Sequence, residues 1–264
     1  MAITECRFIK VTRRDRVIIL TLNRPEKLNA IDGRVHDELI RLFHEVEWDP
    51  DCDVIVITGE GRAFCSGGDI SHMDSDQGSD IVRRDSEVHY DAGRRFIHAM
   101  LDVEKPMIAM VNGPAVGLGA TLALFCDIVI ASSTASISDR HVNVGLVAGD
   151  GGSIIWPLLI GLNRAKELLM TGRPLSAAEA ERLGLFNHVI EPGQLMDYTM
   201  NLAEELAALP PFAVKATKAS INRQLRLQVE NSLDLSLAYE AMSMKREDHR
   251  LAARSFIERK SSRA

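Results

Sequence analysis

The chain contains four cysteines, at positions 6, 52, 65 and 126, with no CxxC pairing among them. That count excludes a disulfide framework, and reduced thiols in a cytoplasmic compartment are expected. Positive charge is also scarce: 31 lysines and arginines against 37 acidic residues leave a formal net charge of -6, with a pI near 5.8. This balance argues against broad nucleic-acid or membrane-surface binding, so an anionic ligand has to be met by a few local basic residues. No apolar run reaches membrane-spanning length, and the run from Ala120 to Ala131 is interrupted by Asp127. Glu5, Arg7 and Lys10 precede any long apolar run, a pattern that fits neither a signal peptide nor a transit helix. A soluble, cytoplasmic protein is expected.

Several motifs are missing too. There is no GxxxxGK[ST], no GxSxG elbow and no histidine pair at the spacing of a helical zinc site. Gly117-Leu118-Gly119-Ala120-Thr121-Leu122 lacks the final small residue of a dinucleotide fingerprint. Tandem repeats, low-complexity tracts and flexible linkers are absent; Met73 to Asp80, rich in Ser, Asp and Gly, reads as a mobile loop.

The 264 residues are 46% hydrophobic and 26% charged, enough for one large core with a helical appendage. Val17 to Leu22 and Val54 to Thr58 are short β-branched runs that suit buried strands. Between them Asp32 can cap a helix to about Trp48, whose Val35, Leu39, Leu42, Phe43 and Val46 recur at helical spacing. Met107 to Val111 reads as a strand, Gly119 to Phe125 as a buried helix and Asp127 to Ala131 as the next strand. The alternation implies an α/β core. After Pro192 the pattern is helical only, with a stripe through Val214, Thr217, Ile221, Leu225, Val229, Leu233 and Leu237 that needs a partner surface. Residues 1–192 are therefore expected as core and 193–264 as a C-terminal helical region, packed on the core, on another subunit, or both.

Two glycine-rich turns follow predicted buried strands: Phe64-Cys65-Ser66-Gly67-Gly68-Asp69 and Asn112-Gly113-Pro114-Ala115-Val116-Gly117-Leu118-Gly119-Ala120. Such turns can aim two backbone N-H groups at one oxygen. With Asn23-Arg24-Pro25-Glu26-Lys27-Leu28-Asn29-Ala30, Lys105-Pro106 and Cys126-Asp127-Ile128-Val129-Ile130-Ala131, they resemble the crotonase (enoyl-CoA hydratase/isomerase) superfamily over nearly the whole chain. The resemblance implies a spiral of ββα units with a C-terminal helical trimerisation region, assembled as a homotrimer or a dimer of trimers. It implies an oxyanion hole from the N-H groups of Gly68 and Leu118, each fixed donor worth about 3 to 4 kcal/mol. It also implies an acyl-CoA site at Lys27, Leu28, Ala30, Asp69 and Ile70, with Arg24, Lys27, Arg259 and Lys260 available to CoA phosphates. Coenzyme A then enters only as part of the substrate, and no metal or other cofactor is expected. Asp139, His141 and Asp150 do not have the spacing of a recognised ligand set.

The two glutamates that handle water in a hydratase of this family align with Thr121 and His141. Syn addition of water needs a paired acid and base, so their replacement bears directly on the reaction. His141, with Asp150 nine residues on and then Trp156-Pro157, is similar to the β-diketone hydrolases of the superfamily, the 6-oxocamphor hydrolase type. Glu240 and His36 match that branch's functional glutamate and N-terminal histidine, whereas its histidine beside the oxyanion hole has no counterpart in either glycine turn.

Each residue also has a structural reading. Asp150 can be a helix N-cap, His36 a core histidine on the face of Leu39, Ile40 and Phe43, and Glu240 an interfacial partner for a basic residue. Cys65 reads as a small buried filler, because no oriented base accompanies it. The expected activity is hydrolytic carbon-carbon cleavage of a β-dicarbonyl or β-ketoacyl substrate, with His141 activating water. The alternatives are an enoyl-CoA hydratase/isomerase using His141 as acid/base, and a non-catalytic acyl-CoA-binding subunit.

Overall fold

The computed structural model describes residues 3–69 and 79–261, with backbone alone at 79–89, 257 and 259–261. In chain order the elements are β1 (Ile9–Arg14), β2 (Val17–Leu22), α1 (Gly33–Glu47), β3 (Val54–Gly59), α2 (Ser79–Asp102), β4 (Met107–Val111), β5 (Ala115–Val116), α3 (Leu118–Leu124), β6 (Ile128–Ser132) and β7 (Ser136–Ser138). They continue as α4 (Gly152–Ile160), α5 (Leu162–Thr171), β8 (Leu175–Ser176), α6 (Ala177–Leu183), β9 (His188–Ile190), α7 (Leu195–Ala207), α8 (Pro211–Ser243) and α9 (Glu247–Ser261). The expected mobile loop at Met73 to Asp80 falls outside the described residues, except that Ser79 and Asp80 already belong to α2.

Six strands form the main sheet in the order β1-β2-β3-β4-β6-β9, and β5-β7-β8 form a second, smaller one. Only β1 runs antiparallel in the main sheet, paired to β2 from Ile9↔Leu22 to Arg14↔Val17. Because side chains alternate across a strand, the apolar runs feed both faces. Ile18, Leu20, Ile55, Ile57, Met107 and Ala109 join the core shared with α1, α2 and α3. Val17, Ile19, Val54, Val56, Ile108 and Met110 meet Leu195, Met200 and Ala203 of α7 on the other face. Along the chain, β3 and β4 lead into the two glycine turns.

Helix α1 begins as its sequence requires: the Asp32 carboxylate accepts from the N-H groups of Arg34 and Val35. Helix α8 departs from the expected stripe. Val229, Leu233 and Leu237 are buried, but Ile221 is 67% exposed, and Thr217 is exposed as well. Four-residue steps advance about 40° each on a helix of about 3.6 residues per turn, so such a stripe winds round a long helix instead of keeping one face. Near its start α8 is held by a polar contact: Lys218 Nζ donates to Lys105 O at 2.8 Å and pairs with Asp127 Oδ2 at 2.7 Å.

Candidate active site

The two glycine turns meet edge to edge. Cys65 N donates to Pro114 O at 3.1 Å and Val116 N to Cys65 O at 2.9 Å, a parallel bridge between them. Ile31 N then donates to Gly67 O at 2.8 Å and Asp69 N to Ile31 O at 3.0 Å. In a parallel bridge of this kind the central Gly68 turns its own N-H to the opposite side, and among the described residues it has no acceptor. Leu118 opens α3, so its N-H has no intrahelical partner. Gly67 sits at φ +90°, where a Cβ would come within 2.7 Å of Val116 O and 3.6 Å of Leu118 N. Only glycine permits this approach, which sets the Gly68 turn against the start of α3.

His141 follows β7 in a short 3-10 turn, His141–Val144. Its Nδ1 lies 2.7 Å from Asp139 Oδ1, and its Nε2 lies 3.3 Å from Asp150 Oδ2 and 3.8 Å from Glu240 Oε1. The imidazole is 11% exposed and the Asp139, Asp150 and Glu240 side chains 1%, 5% and 1%. Burial alone pushes the histidine down, but the charges and hydrogen bonds of Asp139 and Asp150 outweigh it and hold His141 well above its ordinary value of 6.5. That shift favours the protonated ring, an imidazolium able to give a proton. The ring also lies against the second glycine turn, since a Cβ on Gly117 would stand 3.4 Å from His141 Cε1. Thus His141 itself occupies the neighbourhood of Leu118, where the sequence shows no histidine.

Asp150 is not the cap of α4. Gly151 holds that position with φ +110° and no side-chain cap bond, while Asp150 Oδ1 accepts from Thr121 Oγ1 at 3.0 Å. The loop between His141 and Asp150 is gripped from the C-terminal helices. Ser236 Oγ donates to Gly149 O at 2.9 Å, Val147 N donates to Ser243 Oγ at 3.3 Å, and His249 Nδ1 lies 2.6 Å from Val144 O. The structure thus brings together three of the four expected catalytic residues, His141, Asp150 and Glu240. His36 packs in the core on α1, its ring 4.9 Å from that of Phe96 on α2.

From sequence, Asp139 is weighed with His141 and Asp150 only as a metal set, and neither its bond to the histidine nor that of the Thr121 hydroxyl to Asp150 is foreseen. The Asp139-Arg140-His141 spacing was the available signal, because a short acidic side chain commonly bonds the backbone two residues on, as Asp139 Oδ1 does with His141 N at 3.2 Å. Asp139, His141 and Asp150 also offer one ligand atom each within 4.8 Å of one another. Both imidazole nitrogens already face carboxylates, a geometry that suits a shared proton; a cation there would have to displace one of those contacts.

The first loop is pinned to the first glycine turn: Ser66 N donates to Leu28 O at 3.0 Å, and Asn29 Nδ2 to Ala63 O at 2.8 Å. Leu28 and Asn29 take left-handed backbones, φ 53° and 57°, unusual for a leucine. Lys27, 42% exposed, reaches Asp69 Oδ2 at 2.8 Å. Arg24 is not available to a phosphate as expected from sequence. Its side chain is 7% exposed, it pairs with Asp32 at 3.3 Å and Asp69 at 3.4 Å, and it donates to Ala30 O at 2.7 Å. A buried guanidinium must satisfy its donors inside the protein, and this one does so by fixing the loop. Ile70 and the side chains of Arg259 and Lys260 lie outside the described residues. Cys65 is fully buried, with its thiol pushed up to about 12 by burial, as befits a filler.

An α/β core with paired glycine turns, and with helices gathered at its C-terminal end, is the architecture of the crotonase fold. Comparison with known proteins places the chain more closely. It matches the enoyl-CoA hydratase/isomerase family over residues 12–263, and it belongs to that family. It is similar to a short-chain-enoyl-CoA hydratase of Clostridium acetobutylicum, 33% identical over 264 residues and 97% of each chain. It is likewise similar to a 1,2-epoxyphenylacetyl-CoA isomerase of Escherichia coli, 33% identical over 247 residues and 93% of each chain. Among solved structures, an enoyl-CoA hydratase/isomerase from Mycobacterium paratuberculosis superposes with a TM-score of 0.87 at 39% identity, covering 94% of this chain and 98% of that one.

Proposed function

We propose that the protein is an acyl-CoA enzyme that hydrates an enoyl thioester or moves its double bond, with His141 as the acid/base. The observation that carries this reading is the position of the His141 ring, between Asp139 and Asp150 and against Gly117, one residue before Leu118. The thioester oxygen is received by the N-H groups of Gly68 and Leu118, which meet the developing enolate charge without reorganising and lower the barrier by about 3 to 4 kcal/mol per donor. An imidazolium beside carboxylates supplies both halves of a proton transfer. Asp150 or Glu240 takes the proton from water or carbon, and His141 Nε2 returns one to the enolate carbon. The first loop, through Lys27, Leu28 and Ala30, together with Asp69 of the first glycine turn, holds the CoA portion in this reading. Other copies of the chain pack on the exposed apolar residues of α8 and α9, among them Leu235, Tyr239, Met242 and Leu251, to build a trimer or a dimer of trimers.

A second reading rests on Glu240, which α8 brings to 3.8 Å from His141 Nε2, at the position matched to the β-diketone hydrolases. Here a carboxylate of the pair takes a proton from water, the water oxygen adds to one carbonyl, and the adduct collapses with rupture of the carbon-carbon bond. The electron pair passes to the enolate held by Gly68 and Leu118, and His141 protonates its carbon. One experiment separates the readings. Purified protein is offered crotonyl-CoA, longer enoyl-CoA esters, cyclic 1,3-diketones and β-ketoacyl-CoA esters. Loss of the enoyl absorbance, or its migration along the chain, supports the first reading. Cleavage confined to the dicarbonyl panel replaces it with the second, and tight thioester binding with no turnover on any substrate leaves a non-catalytic acyl-CoA-binding subunit.

A further inference from the structure

We infer that Thr121 is a positioning residue, whose hydroxyl fixes the Asp150 carboxylate so that one oxygen faces His141 Nε2; the inference rests on the acid/base reading of that histidine. Thr121 is fully buried in the first turn of α3, where its N-H closes that turn on Gly117 O at 3.0 Å. Its hydroxyl donates to Asp150 Oδ1 at 3.0 Å, leaving Oδ2 at 3.3 Å from His141 Nε2. The same helical turn therefore carries Leu118, the backbone donor, and Thr121, which orients the carboxylate. The proton-transfer groups and the oxyanion donors are held in register through four residues of one helix.

A methyl in place of this hydroxyl removes the donor while keeping the volume. Without the hydroxyl, the Asp150 carboxylate loses that restraint, and a longer Oδ2–Nε2 separation is expected. The charged groups that remain around the ring among the described residues are Asp139, from the strand side, and Glu240, from α8; the Cys65 thiol also senses Asp150. Asp139, at 2.7 Å, then makes the shortest contact with the imidazolium, ahead of Glu240 at 3.8 Å.

The test is a side-chain NMR titration of His141 in Thr121→Val and Thr121→Ser, alongside the pH profile of turnover on enoyl-CoA. Loss of one charged partner is expected to move the His141 midpoint down by about one pH unit in the valine variant. In the same variant kcat falls about tenfold with KM changed by less than about twofold, because the pair acts on reacting atoms and not on CoA. Serine, which keeps the hydroxyl, restores both. An unchanged midpoint overturns the inference, and so does an upward shift, which would mean that Asp150 keeps its place without the hydroxyl. Should valine fail to fold, a serine variant with a displaced midpoint overturns it equally. The titration needs no substrate, so a protein inactive on every enoyl-CoA refutes the proposed activity and still leaves the role of Thr121 to be decided by the midpoint.

Discussion

Replacing Asp139 by asparagine should lower the proton affinity of His141 and make the stability of the fold less dependent on pH. The contact removed is a 2.7 Å bond between a buried carboxylate and an imidazole that is 11% exposed. Hydrogen bonds to charged groups are worth about 1.5 to 3 kcal/mol, and one pH unit corresponds to about 1.4 kcal/mol, so the midpoint should fall by about one to two units. The sign of the stability effect follows from linkage. The native state holds the His141 proton more tightly than the unfolded chain, whose histidine keeps its ordinary value of 6.5. That stabilisation is complete below the unfolded value and disappears as pH rises through the raised native value. Urea denaturation of wild type and Asp139→Asn between pH 5 and 9 should therefore show the larger gap at the acid end, closing as pH rises, with NMR reporting the midpoint directly. A midpoint unchanged by the substitution, or a gap that widens with pH, would refute the assignment of Asp139 as the main support of the imidazolium.

Other substitutions probe the frame around this cluster. Gly117→Ala places a Cβ 3.4 Å from His141 Cε1 at a residue with φ +54°, and should lower stability by about 1 kcal/mol or more with loss of turnover, read by thermal melting and rate assays. Lys218→Met leaves Asp127 without its lysine and Lys105 O without a donor. It should destabilise the fold by about 1.5 to 3 kcal/mol in urea while leaving turnover per folded molecule unchanged.

What the sequence conveys and what it conceals divide along physical lines. The β-branched apolar runs of β2 and β3, the Asp32 cap and the helical face of α1 are short-range patterns, and each forms where it was expected. The edge strand β1 carries Lys10, Thr12, Arg13 and Arg14 with one buried residue, so it lacks the apolar signature of an inner strand and went unrecognised. The stripe on α8 divides within the single chain, with Val229, Leu233 and Leu237 on the core and Ile221 exposed, because a run of four-residue intervals turns round the helix in space. Within the site, His141, Asp150 and Glu240 were singled out by resemblance, and the fold places them side by side. The hydroxyl of Thr121, 29 residues before Asp150, was not, since only the packing of α3 against the loop before α4 brings the two together. Arg24 shows the converse case. A cation beside a binding loop reads as a phosphate contact until its burial between Asp32 and Asp69 makes it part of the scaffold.

The central claim is that the buried His141 cluster moves the proton in an acyl-CoA reaction at the paired glycine turns. Single-turnover kinetics of His141→Gln, with acyl-CoA binding measured on the same preparation, test it most directly. The account requires a fall of about a hundredfold or more in the chemical step, the scale of a lost acid/base group, with binding altered by less than about twofold. Turnover by the glutamine variant at the wild-type rate would contradict it.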